Sequence, residues 1–175
     1  MKKYLITSRE FYTEDIDVFG AVLHKSLAKY LPDYALFRDK SSEKYDILAV
    51  EFVKICLEFK TVKSFIHQKA ELAKKLGADG VHLDSTQFDE IKSAKDSGLE
   101  VIISTHTHDE VLKAQRLGAD AVTYSPVFAS PNKGEPKGLD DLNKLLAKCD
   151  IDVFALGGIV DDIHVESVAK SNVYG

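Results

Sequence analysis

The sequence is short of several things, and each shortage closes off a class of protein. It has only two cysteines, Cys56 and Cys149, far apart and in no paired spacing. That pattern excludes a disulfide or zinc framework and reads as reduced thiols in a cytoplasmic protein. No apolar run approaches the roughly 18 residues of a membrane span. The start, Met1-Lys2-Lys3-Tyr4-Leu5-Ile6-Thr7, has no long apolar stretch of the kind that marks a signal peptide. Positive charge is not in excess either: the formal net charge of −5 argues against nucleic acid or acidic membranes as partners. The six histidines form no i, i+4 pair, and Asp84 is the one obvious carboxylate at a central strand end, so no metal site is expected. What remains is 175 residues, 45% apolar and 29% charged, which reads as one globular domain over 1–175.

Proline is scarce too, and its placement is informative. Three of the four prolines fall in Ser125-Pro126-Val127-Phe128-Ala129-Ser130-Pro131-Asn132-Lys133-Gly134-Glu135-Pro136-Lys137-Gly138. Fixed φ angles stiffen such a loop, and it offers Ser130, Asn132 and Lys133 within four positions. It follows a β-type run, Asp120 to Tyr124, and precedes a helical pattern. Farther on, another strand-like run ends in Leu156-Gly157-Gly158-Ile159, where backbone N–H groups can meet an anion.

The chain repeats itself. Leu76-Gly77-Ala78-Asp79-Gly80-Val81-His82-Leu83 recurs as Leu117-Gly118-Ala119-Asp120-Ala121-Val122-Thr123-Tyr124. Each copy ends a 3.6-period segment at glycine and opens an apolar run, the mark of a helix–turn–strand unit. Read in this rhythm, strands are expected at 4–7, 34–38, 62–67, 80–83, 101–105, 121–125, 152–156 and from 173. Helices are expected at 17–30, 45–58, 68–76, 87–97, 109–117, 139–149 and 162–170. Short apolar strands alternating with helices predict a (β/α)8 TIM barrel. An open doubly wound sheet usually has a glycine-rich turn after its first strand, and Thr7-Ser8-Arg9-Glu10 has none. The barrel is expected to be truncated within strand eight.

Side chains at the carboxyl ends of barrel strands converge on one face. Those ends supply Arg38, Lys40, His67, Gln68, Asp84, Ser104, His106, the loop to Lys133, and Gly157-Gly158. The set is basic and polar in an acidic chain, which suits a small phosphate or carboxylate. His106 is the leading acid–base candidate because imidazole titrates near neutrality; the alternative is that it caps the next helix or bonds a neighbouring carbonyl. Lys133 can place a point charge on an anion. Arg38 can grip an oxyanion or pair with Asp39 or Asp84. Gly157-Gly158 can bind phosphate or simply turn the chain. Asp161 and Asp162 read as helix caps, His82 as a hydrogen-bonded structural histidine, His108 as exposed, and His24 and His164 as surface residues.

Taken together and in order, Tyr4-Leu5-Ile6-Thr7, Arg38-Asp39-Lys40, the Leu76–Leu83 run, Ser104-Thr105-His106-Thr107, Pro126-Val127-Phe128 leading to Lys133, and Gly157-Gly158-Ile159 resemble the thiamine phosphate synthase/TenI family. The resemblance implies thiamine biosynthesis with a small phosphorylated thiazole as ligand. Synthases of that family join it to an aminopyrimidine pyrophosphate, releasing pyrophosphate with magnesium; TenI-like tautomerases aromatise a thiazole carboxylate phosphate. Against the synthase pattern, Leu36 stands where a glutamine is expected, His67-Gln68 stands for Asn-Asp, and Gln87 stands for a metal-binding aspartate. These departures favour a tautomerase, an isomerase with no cofactor, over a synthase using magnesium; a non-catalytic phosphate-ligand binder is the third reading. On the tautomerase reading His106 moves the ring proton. Lys133, with Arg38, holds the carboxylate, and Gly157 and Gly158 hold the phosphate. Lys40, His67, Ser104, Ser130 and Asn132 complete the expected contacts. The family's remaining phosphate contacts follow strand eight. The oligomeric state is left open, a homo-oligomer included.

Overall fold

A computed structural model describes residues 1–131 and 133–175; Asn132, one of the expected contacts, lies outside the described residues. Strands and helices alternate throughout. They are β1 (Tyr4–Ile6), α1 (Ile16–Tyr30), β2 (Tyr34–Phe37), α2 (Tyr45–Cys56), β3 (Lys63–His67), α3 (Ala70–Leu76), β4 (Gly80–Leu83), a 3-10 turn (Phe88–Glu90) leading into α4 (Ile91–Asp96), β5 (Glu100–Thr105), α5 (His108–Leu117), β6 (Ala121–Tyr124), α6 (Gly138–Leu146), β7 (Asp152–Ala155) and α7 (Asp162–Ala169). Strands are ordered as in the chain, and their pairings are parallel. This is the (β/α)8 TIM-barrel pattern, carried through its seventh strand and helix. At Val173, where an eighth strand is expected, no strand is assigned. The chain nonetheless runs beside β7: Tyr174 N–H donates to Val153 O (3.1 Å) and Ala155 N–H to Gly175 O (2.9 Å). Among the described residues, no helix is long and apolar enough to cross a membrane.

The residues pack as two units, Lys2–His82 with Ser97–Leu99, and Met1 with Leu83–Asp96 and Glu100–Gly175. In the first unit, Phe65, Ile66, Phe37 and Leu36 are essentially inaccessible. Tyr4 meets the rings of Tyr34, Phe65 and His82 at centroid distances of 5.8 to 6.2 Å. Its hydroxyl also bonds His82 Nδ1 (2.8 Å), so His82 is the satisfied structural histidine its strand position implied. In the second unit, Ile102, Ile103, Val122, Val153 and Phe154 fill the same role. Burying a side chain of this size contributes about 1.5–3 kcal/mol, which is why such short strands hold without long ladders. Burial also pushes the Cys56 thiol up to about 12 and raises that of the half-buried Cys149.

The repeated Leu-Gly-Ala-Asp has a physical reason beyond the helix end. In its first copy, Asp79 Oδ2 accepts from Ser64 N–H (2.7 Å) and Ser64 Oγ–H (2.9 Å), fixing the start of β3. In the second copy, Asp120 Oδ2 accepts from Val101 N–H (2.7 Å) near the start of β5, and Lys95 Nζ lies 2.6 Å from Asp120 Oδ1. The same carboxylate therefore satisfies a strand-start donor in each unit. We predict that Asp79→Ala lowers stability by about 2 kcal/mol, the usual loss when hydrogen bonds to a charged acceptor disappear. Thermal unfolding measures this, and an unchanged midpoint would remove the role.

Candidate active site

The strand carboxyl ends carry candidate residues in both units, and each group stands on its own geometry. In the first unit, Arg38 follows β2. Its backbone N–H donates to Thr7 Oγ1 (2.9 Å), which ties it to the end of β1. The Asp39 carboxylate instead accepts from the backbone N–H groups of Ser41 and Ser42, both at 3.0 Å, and the alternative Arg38–Asp39 pair is not among the contacts of the described residues. Among the described residues, neither the Arg38 guanidinium nor the Lys40 ammonium has a partner.

The end of β3 is held hard. His67 is 5% exposed, and its carbonyl accepts from the Tyr45 hydroxyl (2.9 Å) and from Lys69 N–H (2.8 Å). Gln68 lies between them at φ 64°, a three-residue turn of the rarer, more strained hand. Its own N–H donates to His82 O (2.9 Å). The helix expected to begin at Gln68 therefore starts later, at Ala70, because this turn takes its first positions. Burial pushes the Tyr45 phenol well up, so its hydroxyl stays a donor.

In the second unit, His106 follows β5. Its Nδ1 lies 3.0 Å from Ser125 O. A carbonyl only accepts, so Nδ1 carries the hydrogen, and Nε2 of the neutral ring keeps its lone pair. Of the alternative reading, the carbonyl bond is met by Ser125 O and the cap is not: Thr107 caps α5, in a capping box with Glu110, whose carboxylate also takes His106 N–H (2.5 Å). Ser104 lies two residues back on the same face of β5, half-buried.

The proline loop is pinned at its base. Val127 N–H donates to Leu156 O (2.9 Å) and Phe128 N–H to Gly157 O (3.0 Å), while Lys137 and Gly138 donate back to Pro126 and Val127, both at 3.0 Å. A Cβ on Gly157 would sit 2.8 Å from Pro126 Cα, and one on Gly158 would sit 2.4 Å from Ala129 O; both glycines have positive φ, 94° and 68°. The glycine pair is therefore the seat on which the loop lies. Neither glycine N–H donates to another described residue, so the two amides remain open to an anion. Ser130 sits in the loop, its carbonyl accepting from Lys133 N–H (3.2 Å), and the exposed Lys133 ammonium has no described partner.

Sequence reasoning missed the anchor beside this loop. Tyr124 Oη donates to Asp141 Oδ2 (2.5 Å), and His108 Nε2 lies 3.3 Å from Asp141 Oδ1. Burial works against the Asp141 charge, but the Tyr124 hydroxyl and His108 outweigh it and hold its carboxyl below the usual range. Burial first, then Asp141, raises the Tyr124 phenol. His108 is thus half-buried rather than exposed. The available signal was a tyrosine ending a strand, followed by an acidic first helical turn. His164 likewise is no free surface residue, since its ring lies 4.3 Å from that of Phe128. Asp161 caps α7 as expected, accepting from His164 N–H (2.8 Å).

A profile of the thiamine monophosphate synthase family matches residues 3–175, and the chain belongs to that family. A putative thiamine-phosphate synthase 2 of Aquifex aeolicus (strain VF5) is 30% identical over 98% of this chain and 92% of its own length. The thiamine-phosphate synthase of Caldicellulosiruptor bescii is 34% identical over 73% of this chain and 63% of its own length, so the chain spans less than two thirds of that relative. A solved thiamine phosphate pyrophosphorylase from Pyrococcus furiosus superposes with a TM-score of 0.82 over 99% of this chain and 83% of its own, at 23% identity, a likeness of fold.

These relatives overturn one expectation. Leu36, Gln68 and Gln87 favoured an isomerase, yet the relatives carry the names of synthases, which are transferases. The physical reason is that neutral residues at those positions remove metal and pyrimidine contacts; they do not build an isomerase's proton path.

The glycine seat yields a paired test. Gly158→Ala should lower stability by about 1–3 kcal/mol, since a methyl there meets backbone at a φ that L-residues avoid. Gly134→Ala, whose methyl meets nothing within 4 Å, should stay within about 0.5 kcal/mol. Urea unfolding of the two variants reads the difference, and equal midpoints would refute the seat.

Proposed function

We propose that the chain is a thiamine-phosphate synthase, a transferase joining a thiazole phosphate to an aminopyrimidine pyrophosphate. The observation that carries this reading is the family match over residues 3–175, with synthase-named relatives along nearly the whole chain. The geometry is compatible with it. Among the described residues, the Arg38 and Lys40 side chains after β2 have no partner, nor has the Lys133 ammonium in the loop after β6. Two open glycine amides stand beside the Lys133 loop.

In the reaction the thiazole nitrogen lone pair forms a bond to the pyrimidine methylene carbon. The bond from that carbon to pyrophosphate oxygen breaks, and its electron pair leaves with the pyrophosphate. No proton transfer is needed in this step. The chain's own groups then have positioning and electrostatic work to do. Gly157 and Gly158 amides receive the thiazole phosphate, as anions are received by unpaired N–H groups. Lys133 places positive charge where the leaving group gains negative charge. His106, fixed through Nδ1, presents a neutral acceptor at Nε2 to a substrate N–H or hydroxyl, with Ser104 and Ser130 as further polar contacts.

Magnesium, which the family resemblance implies for this reaction, is not matched by the residues here. Gln68 is neutral. Gln87 uses both ends of its carboxamide within the chain, accepting from Asp84 N–H (2.9 Å) and donating to Glu90 (2.9 Å). Among the described residues, no three His, Cys, Asp or Glu side chains cluster to hold a metal.

The test incubates the protein with both substrates and follows thiamine phosphate and pyrophosphate together. Stoichiometric release of both supports the reading. Binding of thiazole phosphate without any turnover would replace it with a non-catalytic binder. Lys133→Ala should cut kcat by about 10²–10³, the scale of one lost electrostatic contact to the leaving group. Lys133→Arg should recover part of that loss, and unchanged turnover in Lys133→Ala would take the residue out of the step.

A further inference from the structure

We infer that two copies of this chain pair through the outward face of α2, as antiparallel helices related by a two-fold axis. This pairing is independent of the reaction proposed above. The α2 helix is apolar on both sides. Inward, Leu48, Ala49, Phe52, Val53, Ile55 and Cys56 are buried in the first unit. Outward, Ile47 is 55% exposed, Val50 50% and Leu57, just past the last turn, 71%. A single exposed apolar side chain is ordinary, but a helix apolar on both faces belongs inside a larger body. The next helix in the chain, α3, shows the usual pattern: there Glu71, Lys74 and Lys75 face water. The outward residues of α2 are not scattered. Ile47, Val50, Lys54 and Leu57 follow at spacings of three, four and three, the a and d positions of a heptad, and so form one seam along the helix. Leu57 continues that seam because it keeps helical angles, φ −62° and ψ −20°.

Spacing and charge together say what fits the seam. The spacing is the same read from either end. A second copy laid antiparallel therefore brings Ile47 of one copy against Leu57 of the other, and Val50 of one against the aliphatic stem of Lys54 of the other. The Lys54 ammonium then comes level with Glu51 of the other copy. Within one chain these two groups already lie 3.3 Å apart. Two lysines and two glutamates thus gather at the axis with no net charge. At the two ends, Lys44 of one copy comes level with Glu58 of the other, again opposite in sign. A parallel pair would instead set Lys54 on Lys54, like charge on like, so the lone polar member of the seam selects the orientation. A foreign helix would need no such symmetry. A seam that mirrors itself in spacing and complements itself in charge is what an isologous contact requires. The contact is also small. The 12 residues of α2 make a helix about 18 Å long. That is short of the roughly 800 Å² per partner of a standard interface, so the dimer is weak, with a dissociation constant on the order of 10–100 µM.

Sedimentation velocity of the full chain, from about 1 µM to about 500 µM, reads the pairing. The weight-average mass should rise from that of one chain towards that of two across this range. Val50→Glu, at an exposed position that the fold does not need, should leave a monomer at every concentration, with circular dichroism showing the fold retained. Glu51→Lys and Lys54→Glu should each weaken the dimer by about tenfold. The double variant should return to within about threefold of wild type, because reversing both signs rebuilds the same four-charge cluster. A wild-type chain that stays monomeric throughout hands the seam to a different partner and overturns the inference. So does a dimer that survives Val50→Glu, since its interface then lies elsewhere. Single charge reversals that leave the dimer as strong as before, or a double variant weaker than both singles, overturn the antiparallel pairing.

Discussion

The Pro126–Ala129 segment lies so close on Gly157-Gly158 that a single added methyl would meet backbone at 2.4 to 2.8 Å. From that contact most of the second unit's candidate chemistry follows. It aligns the hydrogen bonds from Val127 and Phe128 onto the end of β7. It places the Ser125 carbonyl where it fixes the His106 ring and its tautomer. It leaves the glycine amides unoccupied next to the loop that bears Lys133. Tyr124 and Asp141 brace the same loop from the helix side. The glycines are therefore needed for shape before any question of ligand arises, since only a residue without Cβ permits the approach.

Much of the scaffold was legible in the sequence because its signals are local. Apolar runs of four to six residues between 3.6-period segments place β2, β4 and β6 almost to the residue. The Leu-Gly-Ala-Asp repeat marks two equivalent units, and its aspartates turn out to satisfy strand-start amides that no periodicity could reveal. The nominated residues Arg38, His67 and His106 do stand at the carboxyl ends of their strands, because element order alone sends them there. What stayed hidden depends on pairs distant in sequence. The Gln68 turn needs Tyr45 and His82 to be held. The Tyr124–Asp141 contact joins residues 17 positions apart. Gly157-Gly158 looked like a phosphate motif, and its tighter duty as a seat could not be read without the loop in place.

The choice of reaction shows the opposite failure. Neutral residues at three positions were weighed as signs of a different activity. The loss of a charged side chain bears on how a charge can be balanced, and that is a separate matter from which bond is made.

The double closure at the base of the proline loop has a consequence for how this protein can change over generations. Backbone bonds from Lys137 and Gly138 to Pro126 and Val127 shut the loop on itself. The segment between them hangs outside the strand-and-helix scaffold, and lengthening a closed loop is thermodynamically mild, about 0.6 kcal/mol for each doubling. Insertions, deletions and new side chains there leave strand pairing untouched. The strands and helices beneath therefore do not depend on the length of this loop, only on its closed base.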